Sequence, residues 1–291
     1  MVKKNHGWDV FIHICLGIVS FLSVALLLMI VIVSISNEGD VVNNGFKVIP
    51  KNVDFAAYEY IFGDVRIVGA RAAWSLFVAL VGPIAGMVFS FMLAYALTRE
   101  KFVFGKLCTK ILIASQFVSA GMVATYFIYT KTYGLGNNPL VFFIPGVALW
   151  GVMLYRTFIK GIPQSLIEAA QIDGASEWQV LGRIILPMAK SMLAIQYFQS
   201  VISRWNDYTT SLIYMNTNAK FQTIAHYTQN ILQNAKLIKT SLQAAGYSTD
   251  SIPETTLKYA ICAIALLPIF LVFPWVQKYF SKGIAVGSVK G

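Results

Sequence analysis

The sequence predicts an all-α integral membrane protein with six membrane-spanning helices, on the basis of its composition, its long apolar stretches and the placement of its basic residues. Hydrophobic residues make up 57% of the 291 residues and charged residues only 12%, and the mean hydropathy is +0.64. Soluble domains carry about 25% charged residues. The composition therefore excludes an ordinary soluble domain and favours a chain that crosses a membrane several times.

Six stretches are long enough to cross a bilayer, which requires about 20 residues of helix. The first is interrupted only by His13, follows Lys3 and Lys4, and is too long for the core of a cleaved signal peptide, so we expect the chain to retain it. The predicted spans cover residues 10–36, 71–98, 107–130, 140–159, 191–214 and 257–280.

The net charge of +10 is distributed unevenly along the chain. With both termini placed inside, the inner segments hold 13 of the 23 basic residues and five acidic residues, which gives them a net charge of +8 and leaves +2 elsewhere. Basic residues near span ends are enriched on the cytoplasmic side. The charge therefore predicts cytoplasmic termini, and it does not indicate binding of nucleic acid.

The spans divide the chain into an inner N-terminus, a first span, an outer segment, a five-span core and an inner tail, at residues 1–9, 10–36, 37–70, 71–281 and 282–291. In the outer segment we expect a turn at Asn43–Gly45, a short strand or extended hairpin with Phe46–Pro50 and a small helix at Phe55–Phe62. A second outer segment at 216–256 is predicted to contain a surface helix at Phe221–Leu232 and a loop at Gly246–Pro253.

Residues for catalysis, metal binding or nucleotide binding are not apparent in the sequence. The cysteines and histidines are scattered without metal-like spacing, and the chain contains no GxxxxGK[ST] phosphate loop. We therefore expect no catalytic residue, no metal ligand and no bound cofactor in this chain.

One inner segment, residues 168–187, reads EAAQIDGASEWQVLGRIILP. Ala169 and Ala170 favour a helix whose small side chains let another surface approach closely. Gly174 is suited to a turn with positive φ, and Ser176 to capping a second helix, which Pro187 is expected to end. The segment is thus predicted to be a helix, a turn and a second helix.

This segment resembles the EAA loop of binding-protein-dependent ABC import permeases. The resemblance implies a type I permease fold in which residues 161–190 form a cytoplasmic coupling helix that docks on an ATPase. An ordinary amphipathic cytoplasmic loop is the alternative. The residues that match the motif or lie within it are Glu168, Ala169, Ala170, Asp173, Gly174, Ile184, Leu186 and Pro187.

Further matches cover most of the chain and are similar to the maltose-type, MalG-like carbohydrate permeases, in particular the LplC-like branch associated with polysaccharide and oligosaccharide uptake. They include Ala94–Leu97, Gly134–Leu135, Arg156–Phe158, Trp205–Asp207 and the glycine-rich end from Lys282 to Gly291.

The resemblance implies a non-catalytic permease subunit of the bacterial plasma membrane that imports oligosaccharides or polysaccharide, with acidic and neutral glycans both allowed. The implied partners are a second permease, expected to be a distinct chain, an external solute-binding protein and two ABC ATPase subunits that bind ATP and Mg²⁺. A permease for a non-carbohydrate solute is an alternative.

The substrate path is predicted at the fifth span. Arg204 and Asp207 are three residues apart and would share one face of a continuous helix. Charges inside a membrane are costly unless they face a cavity or a partner, so the two residues either line the path or form a mutual ion pair. The other candidates offer aromatic faces and polar tips that suit sugars, although each could equally be a packing residue; they are Trp205, Asn206, Tyr208, Tyr126 and Tyr197.

Two other classes of protein were compared with the importer. A secondary transporter would show paired intramembrane carboxylates or duplicated halves, whereas this chain offers only Asp207 within its spans. A membrane enzyme would need an intramembrane cluster of His, Glu or Ser, which the sequence does not show.

Overall fold

The computed structural model describes residues 6–50, 52–99, 102–118, 121–144, 149–247 and 252–287, and this part of the chain is almost entirely helical. Lys3, Lys4 and Lys101, the loop residues 248–251 and the end of the tail, 288–291, lie outside the described residues. The α-helices are α1 His6–Ser34, α2 Glu38–Asn44, α3 Ala56–Phe62, α4 Val65–Ala96, α5 Gly105–Ser115, α6 Gly121–Phe127, α7 Leu149–Lys160, α8 Gln164–Ile172, α9 Glu177–Val180, α10 Leu186–Trp205, α11 Thr209–Tyr214, α12 Ile224–Ala244 and α13 Glu254–Gly287.

Two of the described helices are long and apolar enough to cross a membrane by length and composition: Val10–Ser34 within α1, and α4. The α1 stretch has a mean hydropathy of 3.0 and is almost wholly exposed. A helix that is apolar on all sides and exposed on all sides is suited to surroundings of lipid or of another protein.

Two of the predicted spans are not continuous helices. In the stretch 107–130, α5 ends at Ser115 and α6 begins at Gly121, whose φ of +75° a right-handed helix does not accommodate. In the stretch 191–214, α10 ends at Trp205 and α11 begins at Thr209. The prediction of one unbroken helix in each stretch is therefore wrong. In the stretch 140–159, α7 starts at Leu149, and residues 145–148 lie outside the described part.

The chain forms two compact units, the first made of Met1–Val68 and Tyr227–Leu267. Its core packs α3 against α12 and α13 through buried aliphatic side chains such as Ile61, Ala235 and Leu257. Helix α3 lies where a short helix is predicted, and α12 covers the predicted surface helix and continues to Ala244.

The segment that follows α1 differs from its prediction. Phe46–Pro50 forms no strand; instead, Ser36 pairs with Val53 in an isolated antiparallel bridge. Helix α2 lies between Ser36 and Val53 in the sequence. It begins after Asn37, whose side chain accepts hydrogen bonds from the backbone amides of Gly39 and Asp40. Asn is a preferred N-cap residue, which explains why a helix begins at this point.

Helix α2 is anchored to α13 by a buried carboxylate. Glu38 accepts hydrogen bonds from the backbone amides of Thr255 and Thr256, each at 2.8 Å, and from the Thr256 hydroxyl at 2.9 Å. The ammonium of Lys239 lies 3.7 Å from the same carboxylate and 3.6 Å from that of Glu254. Glu38 thereby satisfies amides at the N-terminus of α13 that no residue within the helix can satisfy.

The second unit consists of Gly69–His226 and Pro268–Gly291. Its main core joins α4, α7 and α10 with the short helices α8 and α9, through buried side chains that include Phe91, Tyr155, Ile167 and Val180. A second cluster surrounds Phe142. These helices position residues 161–190 and the surroundings of Arg204.

Near the start of α12, a buried polar network holds His226. Its Nδ1 lies 3.0 Å from the Ser211 hydroxyl oxygen, which also accepts a hydrogen bond from the Thr223 amide at 3.1 Å. Burial, reinforced by the positive charge of Arg71, lowers the pKa of His226 below its ordinary value of 6.5.

We expect this histidine to make the protein less stable in acid. Because the folded pKa lies below the unfolded one, the unfolded chain binds more protons near the unfolded pKa, so stability falls as the pH falls through about 6.5. His226→Asn keeps a hydrogen-bonding group near Ser211 and removes the titration. The melting temperature of the purified protein in detergent, measured from pH 7.5 to 5.5, should fall less for this variant than for the wild type. An identical decrease in both would contradict the prediction.

Candidate functional site

Residues 161–190, the segment predicted to couple to an ATPase and called the coupling segment below, form a helix, a turn and a helix. Helix α8 ends at Ile172, and Gly174 makes the turn with a φ of +81°. Ser176 caps α9: its hydroxyl accepts from the Gln179 amide while the Gln179 side chain accepts from the Ser176 amide. This reciprocal capping box fixes the start of the second helix.

Pro187 does not end that helix, contrary to the prediction. After α9 the chain passes through a π-helical turn, Leu181–Ile185, directly into α10, in which Pro187 occupies the first turn. Pro187 follows a turn in which the regular hydrogen-bond pattern of the α-helix is already interrupted, so the helix continues although the proline has no amide hydrogen to donate. The coupling segment is therefore continuous with α10.

Part of the coupling segment is buried and part is exposed. Ile167, Val180 and Ile185 belong to the main core of the second unit. Elsewhere on the segment, the large apolar side chains of Ile172 and Trp178 are 85% and 69% exposed. Of the residues that carry the family motif, Glu168, Ala169, Asp173, Gly174, Leu186 and Pro187 are exposed, and Ala170 and Ile184 are half-buried.

Glu177 connects the coupling segment to the end of α4. Its Oε2 accepts a hydrogen bond from the Tyr95 hydroxyl at 2.5 Å and lies 3.7 Å from Nε of Arg99. Its Oε1 accepts from the side chain of Gln171, in α8, at 3.1 Å. The Arg99 guanidinium in turn lies 4.2 Å from the centre of the Tyr95 ring. One carboxylate thus holds α8, α9 and α4 together.

A half-open cavity of about 300 Å³ lies between α4, α7 and α10 in the same unit. Polar side chains of α10 form one wall. Glycines of α4 and α7 line the other walls and have no side chain that would fill the space. The residues that line it are Gly82, Pro83, Gly86, Met87, Ser90, Ile144, Gly151, Tyr155, Gln196, Gln199, Ser200, Ser203 and Arg204.

Of the residues predicted to form the substrate path, Arg204 lines this cavity and Asp207 does not. Helix α10 ends between them, and Asp207 instead caps α11 by accepting from the amide and the hydroxyl of Thr210, at 3.0 and 2.5 Å. The prediction that the two charges share one helical face is wrong, and no ion pair joins them in the described part of the chain. Asn206 is exposed and donates its side-chain amide to the Ile202 carbonyl.

The predicted aromatic residues also lie outside the cavity lining. The Tyr197 hydroxyl donates to the Leu80 carbonyl at 2.6 Å, and Trp205 is buried. Tyr126 stacks on Tyr214, with ring centres 5.9 Å apart, and Tyr208 is exposed. These aromatic side chains have packing or surface positions.

Four lining residues of α10 were missed by the sequence analysis, namely Gln196, Gln199, Ser200 and Ser203. They follow the spacing i, i+3, i+4 and i+7, which places them on one face of a helix. A polar face on an otherwise apolar span was the signal that would have identified them.

Comparison with known proteins places the chain in a family. Residues 4–286 match the family described as binding-protein-dependent transport system inner membrane component. The chain is 30% identical to Protein LplC of Bacillus subtilis (strain 168), covering 99% of this chain and 97% of that protein. It is 28% identical to the polygalacturonan/rhamnogalacturonan transport system permease protein YtcP of the same strain, covering 99% of this chain and all of that protein.

A solved structure is similar over nearly the whole chain. It is the crystal structure of a bacterial ABC transporter involved in the import of the acidic polysaccharide alginate, with a TM-score of 0.72, 25% sequence identity and coverage of 96% of this chain and 99% of that one. The almost entirely helical architecture is therefore the type I permease fold. With its two apolar helices, this membrane protein belongs to the family of binding-protein-dependent transport system inner membrane components.

Proposed function

We propose that this chain is the non-catalytic permease subunit of an ATP-driven importer that takes up oligosaccharides or polysaccharide delivered by an external binding protein. The observation that carries the proposal is the continuity of α10, which begins in the coupling segment and ends at the cavity. Helix α4 also connects the cavity to the coupling segment, because its Ser90 lines the cavity and its Tyr95 contacts Glu177. The names of the relatives supply the class of substrate.

In this proposal the protein crosses the bacterial plasma membrane six times, with both termini in the cytoplasm. At 107–130, 140–159 and 191–214 the chain would then cross the membrane as shorter helices joined by irregular backbone. Such backbone is tolerated within a membrane where it is buried in protein or lines a cavity.

The proposed partners follow from the exposed face of the coupling segment. Ile172 and Trp178 present apolar surface that water disfavours, and a cleft on an ATPase subunit would cover it. Two such subunits would bind ATP and Mg²⁺. The other two partners are proposed from the family: a second and distinct permease chain would complete the pore, and the solute-binding protein would dock on the outer side.

Closure of the ATPase pair would move the coupling segment as a rigid body. Because α8 and α9 share a core with α4 and α7, that movement would reach the helices around the cavity. ATP and the docked binding protein can favour the outward-open state only through a higher affinity for it.

Reconstitution into proteoliposomes tests the proposed function. The chain is co-expressed with a candidate partner permease, ATPase and solute-binding protein, and uptake of labelled oligosaccharides is measured with and without internal ATP. We expect uptake that requires ATP and is competed by unlabelled oligosaccharide. Uptake driven by an ion gradient without the ATPase would show a secondary transporter instead, and ATP-dependent uptake of a non-carbohydrate solute alone would overturn the assignment to saccharides.

A further inference from the structure

The cavity between α4, α7 and α10 has an unusual balance of charge. Arg204 is the one charged residue among the described residues that line it, and the other polar groups are two glutamine amides and the hydroxyls of serines and a tyrosine. A cation in a membrane interior is costly without a negative partner. The lining supplies no carboxylate, so the charge of Arg204 is not balanced by the residues that share the cavity with it.

The nearest acidic residue along the chain forms no ion pair with Arg204 among the described residues. Asp207 follows Arg204 by three positions, but both of its carboxylate oxygens accept hydrogen bonds from Thr210. The end of α10 contributes a weaker effect, since the carbonyls at a helix C-terminus favour a nearby cation. That contribution does not give Arg204 a hydrogen-bonding partner within the cavity.

A second observation points to a ligand in the same space. Ser90, in α4, is 1% exposed, and its hydroxyl has no hydrogen-bond partner among the described residues although it lines the cavity. Most buried hydroxyls have a hydrogen-bond partner, and leaving one unpaired is unfavourable. A ligand that carries hydroxyl groups would satisfy it.

We propose that the cavity is a subsite for a sugar unit that carries a carboxylate, such as a uronate, with Arg204 binding the carboxylate. A guanidinium binds a carboxylate through two parallel hydrogen bonds, which a neutral sugar cannot reproduce. Gln196 and Gln199 offer both donors and acceptors to ring hydroxyls, and Ser90 offers its unpaired hydroxyl.

The size of the cavity limits what the subsite holds. About 300 Å³ is at the lower end of the range for small-molecule sites, roughly 300–1,000 Å³. The subsite therefore accommodates about one sugar unit of a longer chain at a time. This inference rests on the proposed function, because it names the class of saccharide that the importer carries.

The experiment compares an acidic with a neutral substrate of matched length. The wild type and its variants are reconstituted with their partner subunits, and ATP-dependent uptake of labelled digalacturonate is measured beside that of α-1,4-galactobiose. We expect Arg204→Gln to lower digalacturonate uptake at least 10-fold and to change galactobiose uptake less than 2-fold. Arg204→Lys, which keeps the charge and loses the bidentate geometry, should give an intermediate loss for digalacturonate.

Controls separate the subsite from folding and from the proposed function itself. Lys110→Gln removes an exposed charge from α5 and should leave both rates unchanged. Copurification of the ATPase with Arg204→Gln verifies that this variant assembles. If Arg204→Gln does not assemble, Arg204→Lys is used instead to compare uptake of the acidic and the neutral disaccharide. Equal effects of Arg204 substitution on both sugars, or none on either, would overturn the subsite while the importer stands. A wild type that carries no saccharide would overturn both.

Discussion

Gly174→Pro is expected to abolish uptake and the stimulation of ATPase activity by the binding protein, while the chain still inserts into the membrane. Gly174 has a φ of +81°, whereas the proline ring fixes φ near −65°. Proline would also remove the hydrogen bond from the Gly174 amide to the Gln171 carbonyl, 3.1 Å long. The turn between α8 and α9 would then be lost, and with it the docking surface proposed for the ATPase.

A milder change at the same position gives a graded test. A residue with a Cβ pays about 1–2 kcal/mol in the left-handed region, and a Cβ at Gly174 would meet no atom within 4 Å. Gly174→Ala therefore tests backbone strain without a clash, and we expect partial loss of stimulated ATPase activity. ATPase copurification and hydrolysis in proteoliposomes measure both variants.

The chain contains a closely matched control at the end of α12. Gly246 has a φ of +80°, its amide donates to the Gln243 carbonyl, and the next amide, of Tyr247, donates five residues back to Leu242. The same pattern surrounds Gly174, where the amide of Ala175 donates to the Ala170 carbonyl. Gly246→Pro should cost similar local stability and leave copurification of the ATPase intact. Loss of the ATPase from both variants, or from neither, would refute a specific role of the Gly174 turn.

Local signals in the sequence predicted the geometry of the coupling segment well, because its turn and cap depend on neighbouring residues. Gly174 and Ser176 determine their conformations within a few positions, through a positive φ and a capping box. Pro187 was misread for the opposite reason. Whether a proline ends a helix or begins one depends on the π-helical turn before it, which the sequence pattern did not indicate.

The cavity was harder to predict, because its members come from three helices that are far apart in the sequence. Arg204 was identified from its charge, whereas Ser90 and Gln196 become neighbours only when α4 and α10 pack together. The prediction that Arg204 and Asp207 share a helical face was wrong because no residue near Trp205 signals that α10 ends there. Tyr197 was assigned to the path by its residue type, but its hydroxyl is satisfied by the carbonyl of Leu80.

Substitution of Glu177 is expected to weaken the transmission of movement from the coupling segment to α4. Glu177→Ala would remove the shorter of the two hydrogen bonds of the Tyr95 hydroxyl, leaving the backbone carbonyl of residue 177 at 3.2 Å as its acceptor, and would leave Arg99 without its negative partner. Arg99 is 15% exposed, and its Nε and Nη2 are buried without a hydrogen bond among the described residues. Because Glu177 itself is 45% exposed and water can replace part of the contact, we expect a loss of roughly 1–3 kcal/mol in the free energy of unfolding.

A double-mutant cycle with Tyr95→Phe separates this contact from general destabilisation. If the hydroxyl and the carboxylate act together, the two losses in stability will not add, with an interaction energy of about 0.5–3 kcal/mol. The number of ATP molecules hydrolysed per sugar transported should rise in each single variant and rise no further in the double variant. Tyr197→Phe removes a comparable hydrogen bond, to a carbonyl of α4 away from the coupling segment, and should lower stability without changing that ratio. Because a purely structural contact would lower stability and leave the ratio unchanged, the ratio determines whether Glu177 transmits the motion of the ATPase or only holds α9 in place.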